Sequence, residues 1–317
     1  MSRVFIGIDV SQDMLDAHIR PAALKRRFAN TVQGIAELID WARPHLPERI
    51  VFESTGPYHK AAVGAFLTQG LPAVVVNARQ VRDFAKGMGR LAKTDVVDAE
   101  IIAHFGEVVP TTVRPLPSQD LQELRDLYDR RTQLIQMLAI EKNHRHAAQQ
   151  GSPKVLTSID GVIDFLKGRI SELEERMNGI VEKSAAFQAQ NALLQSITGI
   201  GPQVSRTLIA YLPELGQRSR QSIAALVGLA PFNDDSGLRT GQRHILGGRS
   251  KVRTGLYQAA VAAIRHCPRM KAFYASLKGR GKASKVAIIA VARKILVLAN
   301  ALIRDNTPYK APANPVC

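Results

Sequence analysis

The chain has 317 residues, 45% of them hydrophobic, with a formal net charge of +16 and an isoelectric point near 10.2. That length suits two domains, or one large domain with an insertion, and supplies enough apolar residues for real cores. So positive a balance points to a polyanionic partner, and to nucleic acid over a membrane, since no apolar run reaches the ~18 residues a span requires. The two cysteines, Cys267 and Cys317, lack metal-ligand spacing and give no disulfide framework. With no signal-peptide pattern at the N-terminus, the expected compartment is a reducing cytoplasm.

In chain order, residues 3–10, RVFIGIDV, form an apolar β-type run that brings up a carboxylate, Asp9. Residues 15–19 continue as a second strand after a turn, and residues 28–30 offer a brief third. Residues 31–41 have helical spacing through Ile35, Leu38 and Ile39. Residues 49–53, RIVFE, are a buried-type strand that again ends in an acid, Glu53. A Gly-Pro break precedes a helical stretch at 58–67, and LPAVVVN at 71–77 reads as a further strand. Residues 79–93 read as a basic loop. The next stretch, KTDVVDAEIIA at 93–103, opens a helix, with Thr94 able to cap it and acids in its first turn. Three strands before the first helix, then alternation, predict an α/β sheet with some antiparallel pairing.

Asp95 and Asp98 stand three apart and so share one helix face. Alone, such a pair is often just solvated helix-start chemistry, and a strand-end acid is often turn chemistry. In an α/β sheet, however, Asp9 and Glu53 fall near the centre, with the Asp95/Asp98 helix packed across them. Four converging carboxylates repel one another by about 1–4 kcal/mol per pair at ~4 Å, so they need protons or cations. Oxygen-only donors with no Cys or His suit Mg²⁺ or Mn²⁺ rather than Zn²⁺. Two such ions can stabilise the attacking and leaving oxygens of phosphodiester cleavage. The motifs GIDVS, FESTGPY and KTDVVDAEIIA resemble the RuvC-like, ribonuclease-H-fold nuclease domain of the DEDD transposases.

From about 118 to 190 the chain is polar and Leu-spaced. Leu121, Leu124, Tyr128, Ile135 and Leu138, then Val162, Leu166, Ile170, Leu173 and Met177, fit heptad positions, so two long antiparallel helices are expected. They read equally as a hairpin within a domain or as an arm for oligomerisation or RNA contact. Residues 197–210, ITGIGPQVSRTLIA, resemble a helix-hairpin-helix turn able to hold a phosphate on backbone amides. A plain helix connection fits nearly as well.

Between Arg239 and Lys294 there are 14 Lys or Arg and no Asp or Glu. A solvated face normally mixes signs, so this block reads as phosphate-neutralising. Arg239, Arg243, Arg249, Lys251, Arg253, Lys282 and Lys285 are its candidate nucleic-acid contacts. Just ahead of it Ser236 lies in DDSG, with Gly241 and the Gly247–Gly248 pair behind, glycines that let backbone approach a phosphate. Ser250 is a rival hydroxyl, suited to capping the next helix, and Ser54 and Thr55 beside Glu53 are more distant ones.

The acid quartet together with GIGPQVSRTLIAYL, FNDDSG and GGRSKVRTGLYQAA is similar to the insertion-sequence-110 family of transposases, also described as bridge-RNA-guided serine recombinases. The resemblance covers nearly the whole chain. It implies a RuvC-like α/β DEDD domain at 1–112, a coiled-coil helical arm at 113–190, a mainly α transposase domain at 191–306 and a tail at 307–317. It further implies that Asp9, Glu53, Asp95 and Asp98 bind the metal, and that Ser236 attacks a DNA phosphate to form a covalent phosphoserine link. Donor and target DNA, a structured bridge RNA, and a tetramer built as a dimer of dimers are its implied partners. A junction-resolving metal nuclease, a site-specific DNA invertase and a non-catalytic basic nucleic-acid-binding protein are the alternatives.

Overall fold

A computed structural model describes residues 3–54, 56–90, 95–113, 115–232 and 243–310, apart from the side chains of 95–97. The chain divides into two compact units, Met1–Pro117 and Ser118–Cys317. The helical arm expected as a domain of its own is therefore part of the second unit.

The first unit is built on a five-stranded sheet. Its elements are β1 (Phe5–Val10), β2 (Met14–Arg20), β3 (Leu24–Ala29), α1 (Val32–Ala42), β4 (Arg49–Glu53), α2 (Lys60–Thr68), β5 (Ala73–Val76), α3 (Ala78–Gly87) and α4 (Asp95–Val108). The strand order is β3-β2-β1-β4-β5. The first three strands are antiparallel, while β1–β4 and β4–β5 are parallel, which is the mixed α/β sheet the element order predicts. Thr31 caps α1 by accepting from the Gly34 amide at 3.2 Å.

Period-two alternation divides the sheet's faces. Ile6, Ile8, Leu15 and Ile19 pack with Ile35 and Leu38 of α1 and Phe66 of α2. Val51, Val74 and Val76 on the other face pack with Val81 of α3 and with Ile101, Ile102 and Phe105 of α4. The expected loop at 79–93 is largely helix α3. Asn77 caps it, its side chain accepting from the Arg79 amide at 2.8 Å, and Val81 anchors its inner face. A one-sided apolar anchor amid Arg and Lys conceals a helix from a reading based on charge.

The second unit contains α5 (Gln119–Ala147), α6 (Pro153–Lys183), α7 (Ala185–Gln195), α8 (Pro202–Tyr211), α9 (Arg220–Val227), β6 (Pro231–Phe232), β7 (His244–Ile245), α10 (Ser250–His266), α11 (Pro268–Gly279) and α12 (Ser284–Asp305). Helices α5 and α6 run antiparallel. Arg145 bonds Asp160 at 2.5 Å and Arg131 bonds Glu174 at 2.6 Å, so stepping back along one helix steps forward along the other. Their contact stripe differs from the expected one by a residue on each helix. Leu134 and Ile163 are buried at 5% exposure, while Ile135 and Val162 are exposed. Leu124, Leu127, Arg131, Leu134 and Leu138 keep the alternating three–four spacing, as do Ile163, Leu166, Ile170, Leu173 and Met177. Ile135 and Val162 fall off that stripe.

Against the expectation that no apolar run reaches the length of a span, helix α12 is long and apolar enough by composition to cross a membrane. Its Val291, Ala292, Ile295, Leu296 and Ala299 are fully buried in the core of this unit, together with Leu256 and Ala260 of α10 and Ile223 of α9. It is built as a core helix.

Candidate catalytic and nucleic-acid-binding sites

The β1–β4 register pairs Phe5 with Arg49, Gly7 with Val51 and Ile8 with Phe52. One step further along both strands come Asp9 and Glu53, side by side at the end of the sheet's two central strands. Period-two alternation puts both on the face shared by Gly7 and Val51, and that face is covered by α4. The helix lies so close that a Cβ on Gly7 would stand 2.9 Å from the Ala103 Cα, and nearer still to the Ala103 nitrogen and the Ala99 oxygen. At Gly106 a Cβ would press on Val51. Ala99 and Ala103 thus sit over Gly7, with Gly106 toward the start of the strands, so the N-terminal turn of α4 points toward Asp9 and Glu53.

Asp98, half-buried, lies in that turn, and Asp95 is the first residue of α4. The Asp9 carboxylate accepts from the Val10 amide at 2.9 Å. Three of the four predicted acids are thereby placed on one face by register and helix packing. Among the described residues, no three His, Cys, Asp or Glu side chains are gathered closely enough to hold a metal ion. The Asp95 side chain and the Thr94 cap lie outside the described residues, as does Thr55. The donor set is all oxygen, which suits a hard divalent cation.

Ser236 and Arg239 fall within 233–242, also outside the described residues, and Gly241 is with them. The flanking strands β6 and β7 pair antiparallel, Pro231 with Ile245 and Phe232 with His244, so the chain leaves and re-enters this segment side by side. Gly247 and Gly248 have φ of +65° and +73°. A Cβ on Gly248 would meet the Val227–Gly228 backbone at the end of α9, and Arg253 donates to the carbonyls of both Gly247 and Val227. Gly248 and Arg253 therefore hold this turn against the end of α9, while at Gly247 it is the positive φ, with open space where a Cβ would stand, that favours glycine. Ser250 is the first residue of α10, whose N-cap is Arg249 with no side-chain cap, so its expected capping role is not found.

Arg249 is also turned inward. Its guanidinium bonds Glu214 at 2.5 and 2.6 Å and the Tyr211 carbonyl at 2.7 Å. The paired side chains are only 23% and 10% exposed. Arg125 bonds the Ala210 carbonyl at 2.6 Å, so two arginines satisfy the last carbonyls of α8, where a cation also meets the helix dipole. Lys251 pairs with Asp129 and lies 4.6 Å over the Tyr211 ring. Burial, and then the hydrogen bond to Asp129, push the Tyr211 phenol pKa strongly up. This network of Arg125, Asp129, Tyr211 and Glu214 left no trace in sequence spacing. Of the predicted nucleic-acid contacts, Arg243, Lys282 and Lys285 are exposed, whereas Arg249, Lys251 and Arg253 are engaged within the fold.

Residues 6–151 match the DEDD transposase domain of the IS110 family. Residues 191–275 match the transposase domain of the IS116/IS110/IS902 family. The chain is 27% identical over 323 residues to a pilin gene-inverting protein of Moraxella bovis and 26% identical over 320 residues to that of Moraxella lacunata, covering 98% of each chain in both cases. It is also 24% identical over 163 residues to an uncharacterized 43.6 kDa protein of insertion element IS110 in Streptomyces coelicolor, covering 48% of this chain and 40% of that one.

Proposed function

This chain belongs to the IS110 family of transposases and is a DNA transposase or recombinase, and from that premise we propose that it cuts and rejoins DNA through a covalent phosphoserine link at Ser236. The observation that carries the reading is the acid constellation, with Asp9 and Glu53 adjacent on central strands and the N-terminal turn of α4 laid over their face. With Asp95 it would form a quartet for Mg²⁺ or Mn²⁺, which would supply positive charge to a reacting phosphate.

The protein's own part is as follows. The Ser236 Oγ attacks a backbone phosphorus, and the Oγ–P bond forms as one sugar oxygen departs. The serine loses its proton and the departing oxygen gains one. Attack by a second strand's sugar hydroxyl on the phosphoserine reverses these steps and frees the serine, so bond energy is conserved for rejoining. Exposed cations such as Lys282 and Lys285, with Arg243, hold the DNA backbone by charge. A structured bridge RNA paired to both DNA partners, and a tetramer as a dimer of dimers, belong to the same reading, as does action on DNA in the bacterial cytoplasm.

Inversion of a DNA segment between paired sites is the second reading. The match to the two pilin gene-inverting proteins over 98% of each chain favours it. Both readings share the chemistry and differ in substrate arrangement. Strand cleavage measured with and without Mg²⁺ in Asp98→Asn and Ser236→Ala tests the shared part. Cleavage should vanish in both variants while DNA binding persists. Full cleavage by Ser236→Ala moves the nucleophile elsewhere, and full cleavage by Asp98→Asn removes the acid from the site.

A further inference from the structure

On the flank of the first unit, beside α4, lies a pocket of about 200 Å³ lined by His18, Arg20, Pro21, Ala23, Lys25 and Glu100. His18 is on the face of β2 that turns away from the Leu15, Ala17 and Ile19 core. It is 3% exposed, and its Nδ1 is buried without a hydrogen-bond partner. A buried polar nitrogen left unpaired costs on the order of 1–3 kcal/mol, and since it is closed to solvent the polar groups a ligand can reach are those around the His18 ring. Around it the charges are uneven. Arg20 commits its Nε to Glu107 at 2.8 Å, and Lys25 and Arg90 share the two oxygens of Glu100 at 3.3 and 3.4 Å. Three cations face two carboxylates, and a guanidinium and an ammonium have more N–H donors than these contacts use. Strand β3 extends the basic rim at the sheet edge with exposed Lys25 and Arg26.

We propose that this pocket seats a backbone phosphate of a nucleic-acid strand, gripped by Arg20 and Lys25 above the His18 ring. The lining has no Phe, Tyr or Trp on which a base could stack, so a bare phosphodiester is the ligand its chemistry fits. Burial, aided by Lys25 and Arg20 and opposed by Glu100, lowers the His18 pKa, which keeps the imidazole neutral in the neutral pH range. The β1–β2 register sets His18 opposite Gly7, two residues from Asp9. That is ~7 Å along the strand and ~5 Å across. A phosphate in the pocket is then within about two nucleotides of one at the acids, since ~3.4 Å per nucleotide is only the rise along the duplex axis and the strand's own path between phosphates is longer. This spacing rests on the reading of the acids as the cleavage site.

The test is the salt dependence of binding by the full chain to duplex DNA and, separately, to single-stranded RNA, in wild type, Lys25→Gln and Arg20→Gln. Both substituted side chains are partly exposed, and a melting curve checks that each variant folds. Each variant should bind about tenfold more weakly to the strand type that occupies the pocket. Its log–log salt slope should shrink by about 0.9 on duplex DNA or about 0.7 on a single strand, and the arm that changes identifies the source. Wild-type slopes in both variants and both arms overturn the pocket and leave the proposed function standing. Absence of nucleic-acid binding by the wild type overturns both.

Discussion

Replacing Gly7 with alanine tests the geometry on which the acid site depends. The added Cβ would stand 2.9 Å from the Ala103 Cα and closer to two more backbone atoms of α4. Carbon–carbon contacts are comfortable at ~3.5–4.0 Å, so the helix must back off the sheet by about 1 Å. No flexible side chain can yield in its place, since the obstacles are backbone. Overpacking of this kind costs about 1–3 kcal/mol, and in a unit of this size that lowers Tm by roughly 5–15 °C. Displacing reacting groups by ~1 Å costs on the order of a hundredfold in rate. Gly106→Ala, which meets side chains, chiefly Val51, rather than backbone, should do less, and Gly64→Ala in α2, with nothing within 4 Å of the new Cβ, should stabilise by up to about 1 kcal/mol. Differential scanning calorimetry and a DNA cleavage assay read the series. Gly7→Ala with wild-type Tm and wild-type cleavage would refute the close packing of α4 on β1.

Other consequences separate structural cations from binding ones. Arg249→Ala strands the buried Glu214 carboxylate and should cost about 2–4 kcal/mol in chemical denaturation, with the DNA salt slope unchanged. A lowered slope at full stability would return Arg249 to the DNA interface. Lys282→Gln with Lys285→Gln should do the reverse, leaving denaturation midpoints unaltered and reducing the slope by up to ~0.9 per lost phosphate contact. His18 gives a pH signature. Desolvation lowers its folded-state pKa below the ordinary 6.5, so the unfolded chain binds more protons as pH falls through 6.5, and stability declines from there toward the folded value. In His18→Gln the loss of Tm between pH 7 and pH 5 should be smaller than in wild type; an equal loss would mean that His18 does not carry it.

Much of this architecture is legible in the sequence because it rests on short-range patterns. The strands carrying Asp9 and Glu53 are apolar runs bounded by turn residues, and Thr94 with acids in the following turn marks a helix start. What sequence spacing does not carry is tertiary pairing. Arg249 and Lys251 sit in a run without acids, yet Glu214 and Asp129 reach them from elsewhere in the fold. Gly248 looks like a phosphate-loop glycine, and its actual neighbour is the backbone at Gly228. Helix α3 was hidden because its exposed face is nearly all charged, and its cap, Asn77, reads as the end of a strand. The hairpin stripe slipped by one residue because Ile135 and Val162 are as apolar as the neighbours that take their places.

The proposed chemistry stands or falls on a covalent bond between Ser236 and DNA. The direct measurement is mass spectrometry of the protein denatured during reaction on a nicked DNA site with Mg²⁺, with and without the proposed bridge RNA, followed by peptide mapping. A nucleotide adduct is expected on the peptide containing Ser236, absent from Ser236→Ala and from Asp98→Asn. DNA cut to free ends with no protein adduct would contradict it, and would leave the acids as a hydrolytic nuclease site.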